Sequence, residues 1–310
     1  MIMSFLGPIR QKLAMFAKRP SYLYPLLVRK FLIYTWEIWE KMGIHITPDR
    51  FNSPIPNTKT LKGYNWEGTF PFDGITLDDD LMLRLLEKIH ATKNEYYDRG
   101  SAYESNGDGN ILYGLIREFK PKMIIEVGGG YSTAVSLDAL RKNTQEIGQR
   151  NQILTIEPHP TPFLEELVAK EGNMVTLIRE KVEKVGIEPF MQLKAGDILF
   201  IDSSHVVKCG NDGHFLYLRL LPKIQVGTII HIHDIRFPYD YPKEWLMEKK
   251  YFWNEQYLLH MFLCFNNSFK ILFAANYMTK KYPALMRQSL KGFAEDSGGW
   301  PGCFWIQRIK

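Results

Sequence analysis

The sequence predicts an α/β fold built on a doubly wound, mostly parallel sheet, and three observations support this prediction. Short apolar runs recur through the chain and end in polar residues. Stretches with apolar residues at helical spacing separate them, and the first run leads straight into a glycine turn. A strand covered on both faces is a continuous apolar run. Strands that alternate with helices form right-handed crossovers in a largely parallel sheet.

The first apolar run and its turn occupy residues 123–133, with the sequence Met-Ile-Ile-Glu-Val-Gly-Gly-Gly-Tyr-Ser-Thr. The glycines at 128–130 allow a sharp turn and a close approach of the backbone to a ligand. The helix predicted to open at Ser132 and Thr133 offers free N–H groups and the positive end of its dipole. This arrangement is typical of a loop that binds a nucleotide cofactor.

Two details of this loop favour S-adenosylmethionine over a dinucleotide. The dinucleotide fingerprint requires Gly or Ala in its last place, where this chain has Thr133. Glu126 lies two residues before the first glycine, at the exit of the strand. A carboxylate there suits a cofactor with a cationic ammonium and sulfonium and would repel a pyrophosphate.

Further strands and helices follow in the order that a doubly wound sheet requires. The further strands are predicted at residues 153–156, 174–178, 197–202, 228–234, 269–273 and 304–309. Helices are predicted over 163–171, 213–221 and 253–265. Glu157 ends the second strand at the distance beyond the glycine loop where an acidic residue binds ribose hydroxyls. The alternative is an ordinary surface carboxylate at a strand end.

The ends of the fourth and fifth strands complete a recognisable pattern. The fourth ends in Ile-Asp-Ser-Ser-His at 201–205 and the fifth in His233–Asp234. Together with the glycine loop, residues 90–310 resemble a class I S-adenosylmethionine-dependent methyltransferase, in the branch with Ile-Asp-x-x-His and His-Asp strand ends. The resemblance implies a Rossmann-like sheet of seven strands with the last one antiparallel.

The resemblance also implies how the cofactor is held, with Glu126, Gly128 and Gly130 along its methionine part and Glu157 on its ribose. The residues predicted to bind the cofactor are Glu126, Gly128, Gly129, Gly130, Ser132, Thr133, Glu157 and Asp202.

The carboxyl ends of the fourth and fifth strands are expected to bring Asp202, His205, His233 and Asp234 together on the ligand face. Methyl transfer requires orientation and a deprotonated acceptor, and a histidine suits the removal of a proton near neutrality. His205 is the first choice for a general base, with His233 and Asp234 as a second catalytic pair. Alternatively, Asp202 and Asp234 hold Mg²⁺, which orients an acceptor hydroxyl and lowers its pKa.

The predicted function is therefore methylation of a hydroxyl group on a small molecule or on a sugar of a glycan, by analogy with the family. The aromatic and proline-rich segment 236–242, which follows the fifth strand, is interpreted as a wall of the acceptor site, with Trp253 behind it. Two other classes stay open: an NAD-dependent oxidoreductase, and a methyltransferase-like binding protein without catalysis.

Length and composition complete the expectations. The chain has 310 residues, so an N-terminal helical extension and connector over 1–85 are predicted to precede a methyltransferase domain at 86–310. The three cysteines form no C-x-x-C pair, which favours a reducing, cytoplasmic compartment. The net charge of +5 is spread along the chain without a run of basic and stacking residues, so no nucleic-acid partner is expected.

The segment from Tyr22 to Trp39 is strongly apolar and aromatic, but Arg29, Lys30 and Glu37 interrupt it. A membrane-spanning helix needs about 20 nearly uncharged apolar residues, so none is predicted here. The favoured interpretation is helices that cap the core or form a homodimer. The alternative is a basic amphipathic anchor that makes peripheral contact with a membrane surface.

Overall fold

The structure is a computed structural model that describes residues 20–47, 49, 51–99, 107–291, 293 and 300–310. Contacts divide the chain into two compact units, Met1–Tyr64 and Asn65–Lys310. Residue 85, the predicted domain boundary, lies inside a helix of the second unit, and the predicted division into domains stays a prediction. The part of the predicted N-terminal extension at 1–19 lies outside the described residues.

The first unit contains helices α1 (Pro20–Tyr34) and α2 (Trp36–Lys41) and a 3₁₀ turn at Thr60–Gly63. Thr35 joins the two helices: its hydroxyl donates to the carbonyl of Phe31 at 2.8 Å and accepts from the indole N–H of Trp39 at 2.8 Å. Within the described residues, no helix has the length and apolar character needed to cross a membrane.

The second unit is built on a seven-stranded sheet. Its strands are β1 (Met123–Val127), β2 (Gln152–Ile156), β3 (Val175–Ile178), β4 (Ile198–Ile201), β5 (Ile229–Ile232), β6 (Phe269–Ala274) and β7 (Phe304–Arg308). The strand order is β3-β2-β1-β4-β5-β7-β6, with β7 antiparallel to both of its neighbours and the other pairs parallel. The predicted fold class and the antiparallel last strand are thereby confirmed.

Helices flank the sheet. They are α3 (Asp79–Thr92), α4 (Asp108–Phe119), α5 (Tyr131–Ile147), α6 (Pro162–Glu171), α7 (Val182–Val185), α8 (Asp212–Phe215), α9 (Lys243–Met247), α10 (Glu255–Leu263), α11 (Ala275–Lys281) and α12 (Pro283–Ser289). Short 3₁₀ turns lie at Glu188–Gln192 and Leu221–Lys223, and a π-helical turn lies at Leu216–Leu220. The helix predicted over 213–221 is thus α8 continued by that wider turn, while α3, α4, α11 and α12 lie where no helix was predicted.

The central strands are covered on both faces, as their continuous apolar runs indicated. Leu199, Phe200 and Ile230 have no exposed surface. Helix α4 packs closely on α3 because it carries Gly114 at the crossing, where a Cβ atom would come within 2.8 Å of the Cα atom of Ile89. The core therefore forms around the middle of the sheet and leaves the strand ends free for chemistry.

Three strands leave the sheet side by side at its carboxyl edge. The N–H of Gly128 donates to the carbonyl of Ile156 at 3.0 Å, and the N–H of Asp202 donates to Val127 at 2.9 Å. The exits of β1, β2 and β4 are therefore adjacent. The N–H of His233 donates in the same way to the last residue of β4, at 2.9 Å, which adds the exit of β5. This edge is where ligands bind in open α/β sheets.

Candidate active site

The glycine loop packs tightly against the neighbouring strand exits. Gly128 has φ +88°, and a Cβ atom on it would lie 2.0 Å from the backbone oxygen of Asp202. A Cβ atom on Gly129 would lie 2.2 Å from the hydroxyl of Thr155. At Gly130, by contrast, no described atom lies within 4 Å of a Cβ position. The first two glycines are therefore required by packing, and the third borders open space.

Glu126 lies beneath this loop and holds it to the following helix. Its carboxylate is fully buried and accepts hydrogen bonds from the hydroxyls of Ser132 at 2.7 Å and Thr133 at 2.5 Å. Burial raises the pKa of Glu126 to about 7, although the two hydroxyl donors lower it in part. The side chains of Glu126, Ser132 and Thr133 therefore form an internal brace at the start of α5.

A pocket of about 370 Å³ opens next to the loop, between the ends of β1, β2 and β4 and the start of α7. Gly128, Glu157 and Asp202 line it, as expected for cofactor-binding residues, together with Lys181 and Val182 after β3. The carboxylate of Glu157 accepts from the backbone N–H at position 159 at 2.7 Å, which orients it at the pocket wall. The volume of this pocket lies within the usual range for small-molecule sites.

His205 lies at the centre of the polar residues on the β4 and β5 side. Its Nδ1 is 2.9 Å from Oε2 of Glu255, and its Nε2 is 3.2 Å from Oδ1 of Asp202 and 3.8 Å from Oδ2 of Asp234. His205 and Asp234 have φ angles of +57° and +55°, a region that non-glycine residues seldom adopt. Strained backbone of this kind is concentrated at functional sites. The predicted residues Asp202, His205 and Asp234 are thus brought together.

Glu255 was not predicted as a site residue, although it supports His205 directly. It is the first residue of α10 and only 1% exposed, and its Oε1 accepts from the hydroxyl of Tyr217 at 3.0 Å. The carbonyl of His205 accepts from the N–H groups of Asn254 and Glu255, both at 3.1 Å, so the histidine loop is attached to the helix start. In the sequence, Glu255 looks like an ordinary acidic residue in a first helical turn.

The buried charges of this cluster alter one another's protonation. Burial alone would lower the pKa of His205, but hydrogen bonds and charges from Asp202 and Glu255 raise it to about 10. Burial raises the pKa of Asp202, yet the charges of His233 and His205 bring it below its usual value. Burial lowers the pKa of His233, but the charges of Asp202 and Asp234 raise it by more, so it ends above its usual value. At neutral pH His205 is therefore mainly protonated, and the pKa of His233 is shifted in the same direction.

A second layer of contacts fixes Asp234. The guanidinium of Arg236 lies 3.3 Å from its Oδ1 and also donates to the carbonyl of Trp300 at 2.7 Å. Asp108, at the start of α4, is fully buried and accepts from the N–H groups of Gly302 and Cys303 at 3.0 and 2.9 Å. Asp108 was not predicted either, because no motif in the sequence marks it. It ties the start of β7 to the helix behind the site.

Asp202 and Asp234, the predicted metal ligands, face the same imidazole. The Nε2 atom of His205 lies within 4 Å of an oxygen of each carboxylate. No group of three or more His, Cys, Asp or Glu in the described part of the chain has the geometry of a metal site. The metal role of Asp202 and Asp234 stays a prediction.

An aromatic surface borders His205 on its outer side. The ring of Trp253 lies 4.2 Å from the imidazole, measured between centroids, and is stacked on Tyr251 at 5.3 Å and packed edge-on against Trp245 at 4.9 Å. The segment 236–242 packs against these rings: Tyr241 lies edge-on to Trp253 at 5.9 Å, and the guanidinium of Arg236 lies 4.8 Å from the centre of a Trp245 ring. The acceptor wall itself stays a prediction.

Comparison with known proteins identifies the domain. Residues 125–235 match the family described as "Methyltransferase domain". An uncharacterized protein of Archaeoglobus fulgidus is 25% identical over 187 residues, which cover 54% of this chain and 82% of that protein. The family match over residues 125–235 spans β1 to the end of β5, which is the part of the chain that carries the glycine loop and both motif-bearing strand ends.

Several solved methyltransferases are distantly similar. The SAH-bound Podospora anserina methyltransferase PaMTH1 is 16% identical with a TM-score of 0.42, covering 86% of this chain and all of that one. CmcI-N160 with SAH is 14% identical with a TM-score of 0.39, covering 86% and 97%. An O-methyltransferase family protein from Burkholderia thailandensis is 13% identical with a TM-score of 0.36, covering 92% and 72%. These scores are low, so the identification depends on the family match and on the strand order.

The chain contains a methyltransferase domain with the class I fold, so the predicted resemblance to class I methyltransferases is confirmed, while the branch with Ile-Asp-x-x-His and His-Asp strand ends stays a prediction. The family match favours a methyltransferase over the oxidoreductase alternative.

Proposed function

We propose that this enzyme transfers the methyl group of S-adenosylmethionine to a hydroxyl oxygen of a small molecule or sugar, with His205 as the general base. The observation that carries the proposal is the hydrogen-bonded pair of His205 and Glu255, placed at the carboxyl edge of the sheet beside the glycine loop. A histidine held at Nδ1 by a buried carboxylate, with Nε2 beside Asp202 at the strand exits, is arranged to accept a proton when its imidazole is neutral.

The pocket next to the glycine loop fits this cofactor. Glu157 offers a carboxylate to ribose hydroxyls, Gly128 and Asp202 border the same space, and the open region at Gly130 leaves room on the loop side. Glu126 supports the binding loop from below through its two hydroxyl partners. When bound, S-adenosylmethionine supplies an electrophilic methyl group on a cationic sulfur.

The protein's own part in the chemistry is to remove a proton and fix a geometry. His205 acts in its neutral form, which is the minor form at neutral pH because its pKa is about 10, and its Nε2 atom accepts the proton of the acceptor hydroxyl. Glu255 at Nδ1 fixes the tautomer that leaves Nε2 available and stabilises the imidazolium that forms, and Asp202 stabilises the same cation. General-base assistance of this kind contributes about 10²–10⁴ in rate.

The class of acceptor follows from the surface beside His205. Trp253 presents a half-buried ring, with Tyr251 and Trp245 around it. Flat partners such as aromatic rings or the C–H faces of sugars pack well on such a surface. The acceptor hydroxyl is therefore proposed to lie over Trp253, directed at His205.

The first test is calorimetric titration of the purified chain with S-adenosylmethionine and S-adenosylhomocysteine. Binding is expected, and Glu157→Ala is expected to weaken it by removing a pocket carboxylate. Glu126→Ala is expected to weaken it through loss of the loop brace. A titration with NAD serves as the negative control. Failure to bind either S-adenosyl compound would overturn the proposal.

The second test is an acceptor screen with radiolabelled S-adenosylmethionine over phenols, sugars and glycosides. Reactions run with a chelator and with added Mg²⁺ test the predicted metal role directly. Methylation of a hydroxyl that survives chelation and disappears in His205→Gln supports the proposal. Cofactor binding without any methylated acceptor would favour the non-catalytic alternative.

A further inference from the structure

The positive charge of the chain is concentrated in its first unit. Residues 1–64 hold ten Lys and Arg against three Asp and Glu, a net charge of +7, so residues 65–310 carry −2 of the total of +5. Six basic residues precede the first acidic one, Glu37. An asymmetry of this kind between two parts of one chain indicates an anionic partner for the basic part.

The same unit exposes large apolar side chains. On α1, Leu27, Phe31 and Tyr34 are 57%, 58% and 86% exposed, and their spacing of four and three residues puts them on one helix face. Ile38 and Met42, in and after α2, are 58% and 62% exposed. A continuous exposed apolar face is typical of an interaction surface.

Of the two described basic residues of α1, one borders this apolar face and the other lies opposite it. Arg29 lies two positions after Leu27 and so points to the opposite side of the helix, whereas Lys30 lies three positions after it and flanks the face. Both are exposed. Trp36 follows at the start of α2, and Trp and Tyr side chains are enriched at the boundary between lipid and water.

These features distinguish between possible partners. A nucleic acid would match the charge, but it offers no acyl surface for exposed aliphatic side chains such as Leu27 and Ile38. A second copy of the same unit would bring two net charges of +7 together, and like charges oppose association. An anionic lipid surface matches both the charge and the apolar face. Since no described helix can cross a membrane, the segment would lie along the surface.

We propose that the segment 20–47 binds the surface of an anionic lipid bilayer. The face of Leu27, Phe31 and Tyr34 enters the boundary between headgroups and acyl chains. Lys30 contacts the headgroups at the edge of this face, and Arg29, on the opposite side of the helix, adds to the positive charge that attracts the anionic surface. This inference is independent of the acceptor and of the methyl-transfer chemistry, because none of these residues belongs to the proposed active site.

The test is flotation of the full chain with vesicles of phosphatidylcholine alone or mixed with phosphatidylglycerol. Binding is expected only to the mixed vesicles and is expected to weaken with added salt. Each basic residue near such a surface strengthens binding roughly fivefold. The double variant Arg29→Glu/Lys30→Glu should therefore lose at least about 25-fold in partitioning. Phe31→Ser should also reduce binding, because it removes apolar surface from the interface.

The matched control is Lys194→Glu/Lys223→Glu, which makes the same change in charge at two exposed lysines of the second unit. It should bind mixed vesicles as the unaltered chain does. Melting temperature and S-adenosylhomocysteine binding, measured for every variant, show that each one is folded. Equal binding to neutral vesicles, an equal loss in the control, or absence of binding would overturn the proposal. So would a dimer in light scattering that Phe31→Ser dissociates while vesicles bind nothing.

Discussion

The buried carboxyl of Glu126 should make the stability of this protein depend on pH. Its pKa is about 7 in the folded protein because of burial, against 4.5 for the free side chain. Between these values the folded state binds the proton more tightly than the unfolded state does. The stabilising contribution of Glu126 to the free energy of unfolding is therefore fully present below pH 4.5 and is lost as the pH rises through about 7. From pH 5 to pH 8 the expected loss is about 2.5 kcal/mol.

The perturbation is Glu126→Gln, which keeps a similar shape and hydrogen-bonding groups but cannot ionise. Urea unfolding of both proteins at pH 5, 6, 7 and 8 gives the free energy of unfolding at each pH. The difference between the unaltered protein and the variant should change by about 2.5 kcal/mol over this range, in favour of the variant at high pH. A difference that stays constant within about 0.5 kcal/mol would refute the reasoning, since it would mean that Glu126 ionises alike in both states.

A second variant tests the cause of the shift. Ser132→Ala removes a donor that lies 2.7 Å from the Glu126 carboxylate and favours its charged form. The pKa of Glu126 should then rise further, and the loss of stability should extend to higher pH. If Ser132→Ala moved the transition to lower pH, the assigned role of this hydroxyl would be wrong.

The remaining predictions concern the site. His205→Gln should reduce kcat by about 10²–10⁴ while S-adenosylhomocysteine binding is retained, measured by turnover and calorimetry. Glu255→Gln should shift the acidic limb of the kcat/KM profile to lower pH, because Glu255 raises the pKa of His205; an unmoved limb would refute its positioning role. Gly128→Ala should destabilise the fold by about 1–3 kcal/mol from backbone strain, and its contact with Asp202 should increase this loss. Gly130→Ala should leave the melting temperature unchanged, because its Cβ position borders open space. Equal effects of the two variants on the melting temperature would contradict the loop geometry.

Much of the sheet was predictable because its strands are buried on both faces. The runs at β1, β4 and β5 consist of apolar residues that end sharply at a polar side chain, so their limits are visible in the sequence. Helices α3 and α4 were missed although the sequence marks them: after the capping residue Asp78, the apolar residues that α3 buries recur at helical spacing. Asp108 begins α4 directly after Gly107, which has φ +95°. In a sequence, a glycine at such a position is also typical of a turn.

The site was predictable only where it follows strand ends. Asp202, His205 and Asp234 come directly after β4 and β5, so topology alone brings them together. Glu255 reaches His205 from a helix 50 positions further along the chain, and its distance in sequence hides the contact. Trp253 was assigned to the acceptor wall, but its place over the imidazole depends on the same chain crossing. Contacts between distant segments are set by packing, which a single sequence does not display.

Three histidines near β5 show how the carboxylates determine the chemistry of this edge. His231 is fully buried against Phe200, with ring centroids 4.1 Å apart, and neither ring nitrogen has a hydrogen-bond partner among the described residues. Burial, with the nearby charge of His233, brings its pKa well below the usual value. His233 and His205 are also buried, yet their pKa values are raised because carboxylates face them. Depth alone would make all three neutral. The position of Asp202, Asp234 and Glu255 is therefore what separates an interior histidine from one able to take part in proton transfer.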